Sequence, residues 1–247
     1  KATLVYSRLA KRLRSLGLES FRDYCALIAD AEGADERQRM IAALTTNVTR
    51  FFREPHHFEH LKAKVLPDLV QRARMRGRVR IWSAGCSSGE EPYSIALTIL
   101  SLAPEAPEWD VRILATDIDT NVLAKARAGT YGASNMLQIP GDLRSRWFER
   151  DGEAWTVTAP LRRLVVFNEL NLMGEWPMKR RFDAIFCRNV VIYFEEATQA
   201  RVFARFVPQM NPGARLYIGH SERISGPAAD VLESDGVTIY RLKDGVR

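Results

Sequence analysis

Cysteine is scarce in this 247-residue chain: Cys25, Cys86 and Cys187 are odd in number, far apart, and lack a Cys-x-x-Cys spacing. That excludes a disulfide-stapled secreted domain and a thiolate metal site, and reads as structural thiols in a reducing compartment. No apolar run approaches the roughly 20 residues that span a bilayer, and no signal-peptide pattern opens the chain, so membrane insertion is not expected. His-Glu-x-x-His is also missing; His56, His57 and His60 are expected to be structural, with no metal bound. Low-complexity tracts and internal repeats are absent. Acidic residues are lacking at the start, where Lys1, Arg8, Lys11, Arg12 and Arg14 all precede Glu19. A second basic run, Arg72, Arg74, Arg76, Arg78 and Arg80, contributes to a net charge of +6. Neither cluster is interleaved with aromatic residues, which weakens a single-stranded nucleic-acid reading.

What is present has the size and composition of one α/β domain with a small appendage. Leu4, Leu9, Leu13 and Leu16 have helical spacing, with Gly17 as a C-cap. Ser20 can cap a second helix through Phe21, Tyr24, Leu27 and Ile28, and Asp35–Leu44 reads as a third. Thr45–Arg53 is dense in hydrogen-bonding groups and reads as a linker, or as the N-cap cluster of a helix from about Pro55 to Arg76. Beyond it, β-rich runs alternate with helical stretches: Val79–Ala84, Val111–Thr116, Leu164–Phe167, Asp183–Cys187, Ala214–Gly219 and Val237–Leu242. This alternation predicts a mostly parallel, doubly wound, Rossmann-like sheet. Arg146–Glu149, Asp151-Gly152, Ala154–Thr158 and Leu161–Phe167 break it and suggest a small antiparallel meander.

The richest stretch is Ile81–Ser94, in which a strand enters Gly85-Cys86-Ser87-Ser88-Gly89 and leaves as a helix. Small residues let backbone N–H groups approach a ligand closely. A phosphate site would add a lysine; this turn offers Glu90 and Glu91 instead, which suits a cation such as S-adenosylmethionine. In open α/β sheets ligands bind at the carboxyl ends of the strands. The second strand ends at Asp117, placed to accept from ribose hydroxyls, while Asp119 reads as a helix cap. The third leads to Asn171 and Leu172, suited to an adenine edge. The fourth ends in Cys187–Phe194, facing the reactive end of the ligand.

Thr45–Arg53 with Glu54, Ser83–Ser94, Thr116–Thr120, Phe182–Phe194 and Gly219-His220-Ser221-Glu222 together resemble the CheR chemoreceptor glutamate O-methyltransferases, over essentially the whole chain. Gly-Glu-Glu-Pro-Tyr-Ser and Cys-Arg-Asn-Val-Val-Ile-Tyr-Phe are long, distinctive strings. The resemblance implies the class I S-adenosylmethionine-dependent methyltransferase fold and transfer of methyl to receptor glutamates, giving γ-methyl esters and S-adenosylhomocysteine. It implies that Asn47, Thr49 and Arg53 reach the cofactor, with Gly85 in its turn. Glu90 would hold the ammonium and Asp117 the ribose. Asn171, Leu172, Arg188 and Asn189 would line the rest. Tyr193 would lie near the methyl, and Arg53, or an arginine of the 72–76 group, would hold the acceptor.

The division implied is 1–46 as a helical, receptor-facing subdomain, 47–54 as a linker, and 55–247 as the cofactor-binding domain, with 145–167 as the antiparallel part. Arg8, Lys11 and Arg12 would dock the acidic methylation helices of the receptor. The antiparallel part is a place where some family members hold a receptor's C-terminal peptide. A helix ahead of the first one here is expected in the family's fuller pattern. The expected setting is the bacterial cytoplasm beside receptor arrays, as a monomer. Two other readings stand against this one. A nucleic-acid methyltransferase would carry an Asp/Asn-Pro-Pro string where Cys187–Val190 stands. A sensor or scaffold would bind the cofactor without turnover.

Overall fold

A computed structural model describes residues 2–245; Lys1 and the side chain of Leu4 lie outside the described residues. Three helices lead the chain: α1 (Ala2–Leu16), α2 (Phe21–Ala29) and α3 (Ala34–Leu44). α1 stops at Gly17, whose φ of +67° only glycine adopts without strain, and Leu18 N–H reaches back to the Leu13 carbonyl at 3.0 Å. Ser20 caps α2 by accepting the Asp23 N–H at 3.1 Å. Leu9, Leu13 and Tyr24 form a separate small core between these helices.

The helix expected over 55–76 runs from α4 (His56–His60) through a π turn (Leu61–Val65) into α5 (Leu66–Arg74). Its cause is Pro67, which has no N–H to donate and breaks the regular ladder; Leu66 N–H bonds to Leu61 O instead. The alternating part follows as β1 (Val79–Ala84), α6 (Glu90–Leu102), β2 (Val111–Asp117), α7 (Thr120–Ala128) and β3 (Thr130–Gly132). Next come α8 (Gly141–Trp147), β4 (Phe148–Asp151), β5 (Ala154–Val157), α9 (Ala159–Arg163) and β6 (Val165–Glu169). β7 (Phe182–Cys187), α10 (Glu196–Phe206), β8 (Met210–Ile218), α11 (Pro227–Val231), β9 (Leu232–Gly236) and β10 (Ile239–Leu242) complete it.

Seven strands form the main sheet in the order β6-β2-β1-β7-β8-β10-β9. The first five are parallel, and β10 pairs antiparallel with both β8 and β9. Ile81, Ile113 and Phe186 pack one face against Leu66, Ile95 and Leu161. Trp82, Ile185 and Leu216 pack the other against Val202, Phe203 and Phe206 of α10. The chain leaves β1 toward β2 on one side and returns as β7 on the other. This reversal opens a crevice at the carboxyl ends of β1 and β7, where doubly wound sheets bind ligands.

The small antiparallel sheet has the order β3-β5-β4 and departs from the expected 145–167 meander. Its third strand is Thr130–Gly132, not Leu161–Phe167. The latter segment divides into α9 and the parallel edge strand β6, because Pro160 suits the first turn of a helix and Val165 and Phe167 are drawn into the main core. Arg146 and Trp147 end α8 rather than starting a strand.

Candidate active site

The turn after β1 explains its own composition. Gly85 sits at φ +81°, and a Cβ there would lie 2.3 Å from Val190 Cγ2, so the loops after β1 and β7 can touch only if this residue is glycine. Its N–H and that of Cys86 donate to the Thr116 carbonyl at 2.7 and 2.9 Å. Gly89, at φ +97°, caps α6 with no room for a side chain beside Ala126 and Tyr131. Around this turn the strand ends enclose a cavity of about 600 Å³, a size suited to a small ligand or cofactor.

Asp117 stands at its wall, buried, with Oδ2 accepting Ser87 N–H at 2.8 Å and Oδ1 accepting Asp119 N–H at 3.0 Å. Burial pushes its pKa up, against these backbone donors. Each oxygen keeps a second lone pair for a ligand hydroxyl. Asn47 and Thr49 line the cavity from the linker, with Asn47 Nδ2 donating to Asp119 Oδ2 at 2.9 Å. Asn171 and Leu172 line it after β6. Asn171 Oδ1 closes a turn with Met173 N–H at 2.9 Å, leaving its amide N–H₂ for a ligand.

Glu91, not Glu90, lines the cavity. Glu90 is buried, its Oε2 taking the Ser88 hydroxyl at 2.7 Å. Adjacent helical residues point about 100° apart, and the turn at Gly89 sends the second of the pair inward. Glu91 accepts from Ser83 Oγ at 2.6 Å and from Arg188 Nη1 at 3.0 Å. Arg188 is itself buried, 3.3 Å from Glu54 Oε2, bonded to the Arg53 carbonyl, and stacked over Phe58. Burial opposes ionisation of Glu54, but Arg188 and a hydrogen bond from His220 outweigh it and hold its pKa down. Burial raises the pKa of Glu91, with Arg188 opposing.

Asn189 follows at φ +59°, and the N–H groups of Asn189, Val190 and Val191 all donate to Glu222 at 2.9–3.0 Å. Glu222 therefore shapes the loop that carries Arg188, Asn189 and Tyr193. Nothing in its local sequence predicts that role, although it ends the Gly-His-Ser-Glu string. Arg53 lies at the mouth with Tyr193, which is 47% exposed, and Arg50 joins them from the linker. Arg53 donates to the Val48 carbonyl at 3.0 Å. Among the described residues neither Arg50 nor Arg53 is ion-paired with a carboxylate. The cavity thus grades from the carboxylate of Asp117 at its wall, across a floor where Glu91 is paired with Arg188, to two guanidinium groups at its mouth.

The basic residues elsewhere are largely committed. Arg72 pairs with Asp183 at 2.6 Å, at the amino end of β7 and so at the far end of the sheet. Arg74 pairs with Glu105, and Arg78 and Arg80 with Asp110. Arg12 forks onto Glu36 at 2.9 and 2.6 Å. Arg8 donates to the carbonyls of Leu44 and Thr45 and to Thr46 Oγ1. Only Lys11 of the three expected docking residues is simply exposed. Sequence could not show these partners, which lie 24 or more residues away. Glu54, His56 and His57 bring possible metal-ligating atoms within 4.8 Å of one another. Arg188 already supplies a cation there, and His57 Nε2 is bonded to Thr238 Oγ1 at 2.9 Å.

Comparison with known proteins places these features. Residues 47–240 match the family described as CheR methyltransferase, SAM binding domain, and residues 1–45 match CheR methyltransferase, all-alpha domain. The chain is 55% identical over 245 residues to a probable chemotaxis protein methyltransferase of Rhizobium etli, covering 98% of this chain and 91% of the relative. It is 44% identical to chemotaxis protein methyltransferase 2 of Pseudomonas aeruginosa, covering 97% and 85%. It is 41% identical to the chemotaxis protein methyltransferase of Salmonella typhimurium, covering 98% and 83%.

Proposed function

From the premise that this chain belongs to the CheR methyltransferase family, we propose that it methylates glutamate side chains of bacterial chemoreceptors, giving γ-methyl esters in chemotactic adaptation. The observation that carries this reading is the charge gradient of the cavity. A cationic cofactor is favoured beside Asp117, which has no cationic partner among the described residues, and an anionic acceptor is favoured at Arg50 and Arg53. The donor set of Asp117, Asn47 and Asn171 and the size of the cavity fit S-adenosylmethionine, which when bound supplies an electrophilic sulfonium methyl.

The residues then divide the work. Asp117 accepts from the ribose hydroxyls, Asn171 and the Leu172 backbone meet the adenine, and Asn47 and Thr49 close over it. Glu91 with Arg188 forms the floor, while Glu90, expected to hold the ammonium, does not line the cavity. A glutamate carboxylate, with a reference pKa of about 4.3, is already ionised at neutral pH, so no general base is required. The chain has to orient two reactants, an effect of at most about 7–11 kcal/mol. Arg53 and Arg50 are placed to hold the acceptor; the 72–76 group is at the wrong end of the sheet. Tyr193 borders the place of transfer and positions the acceptor oxygen.

The helices of 1–46 would face the receptor, in the cytoplasm beside receptor arrays. β4 is an edge strand of the small sheet, which supports strand addition by a receptor's C-terminal peptide. The decisive experiment is calorimetric titration with S-adenosylhomocysteine, followed by tritiated methyl transfer to receptor-containing membranes. Binding with base-labile label on receptor glutamates is expected. Binding without transfer would leave a cofactor-binding module and overturn the proposal.

A further inference from the structure

Four residues from three segments close a ring of hydrogen bonds at the cofactor cavity. Asn47 Nδ2 donates to Asp119 Oδ2 at 2.9 Å. Asp119 N–H donates to Asp117 Oδ1 at 3.0 Å. Ser87 N–H donates to Asp117 Oδ2 at 2.8 Å, and Ser87 Oγ donates to the Asn47 carbonyl at 3.0 Å. Thr45 Oγ1 adds a second linker contact to Asp119 Oδ2 at 3.3 Å. Asp119 is 2% exposed, and its other oxygen caps α7 through Asn121 N–H at 2.9 Å.

The position of this ring matters more than its size. Residues 45–47 directly follow α3, and Ile41 and Leu44 of α3 line the same cavity. A further bond from Thr120 Oγ1 to Gln38 Oε1, at 3.3 Å, joins α3 to the start of α7. A ligand filling the cavity therefore touches the helical unit on one side and Asp117 on the other. Its binding free energy contains contacts to both, so their relative placement and the ligand's affinity are linked in both directions.

We propose that Asp119 is a positioning residue, a latch that makes the seating of α1–α3 depend on occupancy of the cofactor cavity. This rests on the cofactor reading above and adds to it. Asp119 touches neither reactant; it acts through Asn47, Thr45 and Asp117. The acceptor-facing helices are then held in their working place when the cofactor is present. The latch is made of a single acceptor oxygen facing an amide donor and a hydroxyl, so exchanging donor for acceptor breaks it and exchanging both restores it.

The test is hydrogen exchange on the full chain with and without S-adenosylhomocysteine, with affinity by calorimetry. In the wild type the ligand should slow exchange over residues 34–46. Asp119→Asn keeps an oxygen for the α7 cap but turns an amide toward the Asn47 amide. It should lose at least about fivefold of the ligand-dependent slowing, the lower end of ordinary coupling factors. Thr45→Val, which leaves the cap untouched, should lose part of it. Asn47→Asp combined with Asp119→Asn restores the pairing and should restore the slowing, which a merely structural role would not do. Full slowing retained in Asp119→Asn, or no rescue in the exchanged pair, overturns the latch. Failure of the wild type to bind S-adenosylhomocysteine removes the cofactor reading and the latch with it. That outcome is seen in the calorimeter before any exchange is measured.

Discussion

Asp117 illustrates how the fold prepares one residue for the ribose role proposed for it. Its two backbone N–H donors fix the carboxylate plane before anything binds, and its burial leaves a charge without a cationic partner among the described residues. Hydrogen bonds to charged groups contribute about 1.5–3 kcal/mol each. Asp117→Ala should then weaken S-adenosylhomocysteine binding by at least about 100-fold, the lower end for the loss of two such bonds. Calorimetry decides it; unchanged affinity would refute the ribose role. That Asp117 lines the cavity was legible only in combination, because it ends the strand next to the one that delivers the glycine turn. That Glu91 rather than Glu90 lines the cavity was not, since both are buried and identical neighbours on a helix carry no signal of which one faces it. The fit of Gly85 against Val190 was also invisible, because it is a contact between residues 105 apart; the sequence pointed to a ligand as the reason for the small residue, and the structure shows Val190 there.

At the scale of elements, α1 is where expectation and structure part. Its arginines look like a free basic stripe in sequence, yet Arg12 is half of a fork onto Glu36, and Tyr24 O–H donates to the same carboxylate at 2.9 Å. The Arg12 hydrogen bonds, against burial, hold the Glu36 pKa down; burial, then the Glu36 contact, pushes that of Tyr24 to about 12. This triad ties α1, α2 and α3 together where the apolar core is small. Arg12 is half-buried over a buried Glu36, and leaving such a charged acceptor unpaired costs about 1–3 kcal/mol. Arg12→Glu should lower the unfolding free energy of the helical unit by that order, while Lys11→Glu stays within about 0.5 kcal/mol. Urea or thermal unfolding checks both, and equal stability of the two variants would return Arg12 to the surface. The sheet itself was readable from its β-branched runs. β3 was not, because three residues between Gly129 and an irregular turn give no periodicity to detect. β9 escaped for a similar reason, as Leu232–Gly236 is charged and small and owes its pairing to β10.

For the whole molecule, the segment that begins the sheet domain is also joined to its far edge, and His57 is the joint. It is fully buried on α4, with its ring 5.5 Å from that of Tyr217 on β8 and Nε2 on Thr238 in the turn before β10. Glu54, Arg188 and His56 face it as well. Burial lowers its pKa to about 3, with Arg188 and His56 adding to the effect and Glu54 opposing it. The unfolded chain would take up this proton near 6.5, whereas the folded chain holds it off until about pH 3. More protons are then bound by the unfolded state across that window, so stability present above pH 6.5 is lost as the pH falls. The slope is at most about 1.4 kcal/mol per pH unit. Glu91, Asp117 and Glu222 have pKa values raised mainly by burial and act in the opposite sense, gaining stability as the pH falls. A wild-type acid profile alone would mix these contributions. His57→Gln removes the titrating ring while keeping an amide able to reach Thr238. Between pH 7 and pH 5 the wild type should lose about 2 kcal/mol more than this variant, measured from urea unfolding midpoints at each pH. Equal acid losses would mean that His57 takes up its proton in the folded chain, and that the contact between α4 and the β9–β10 turn admits water.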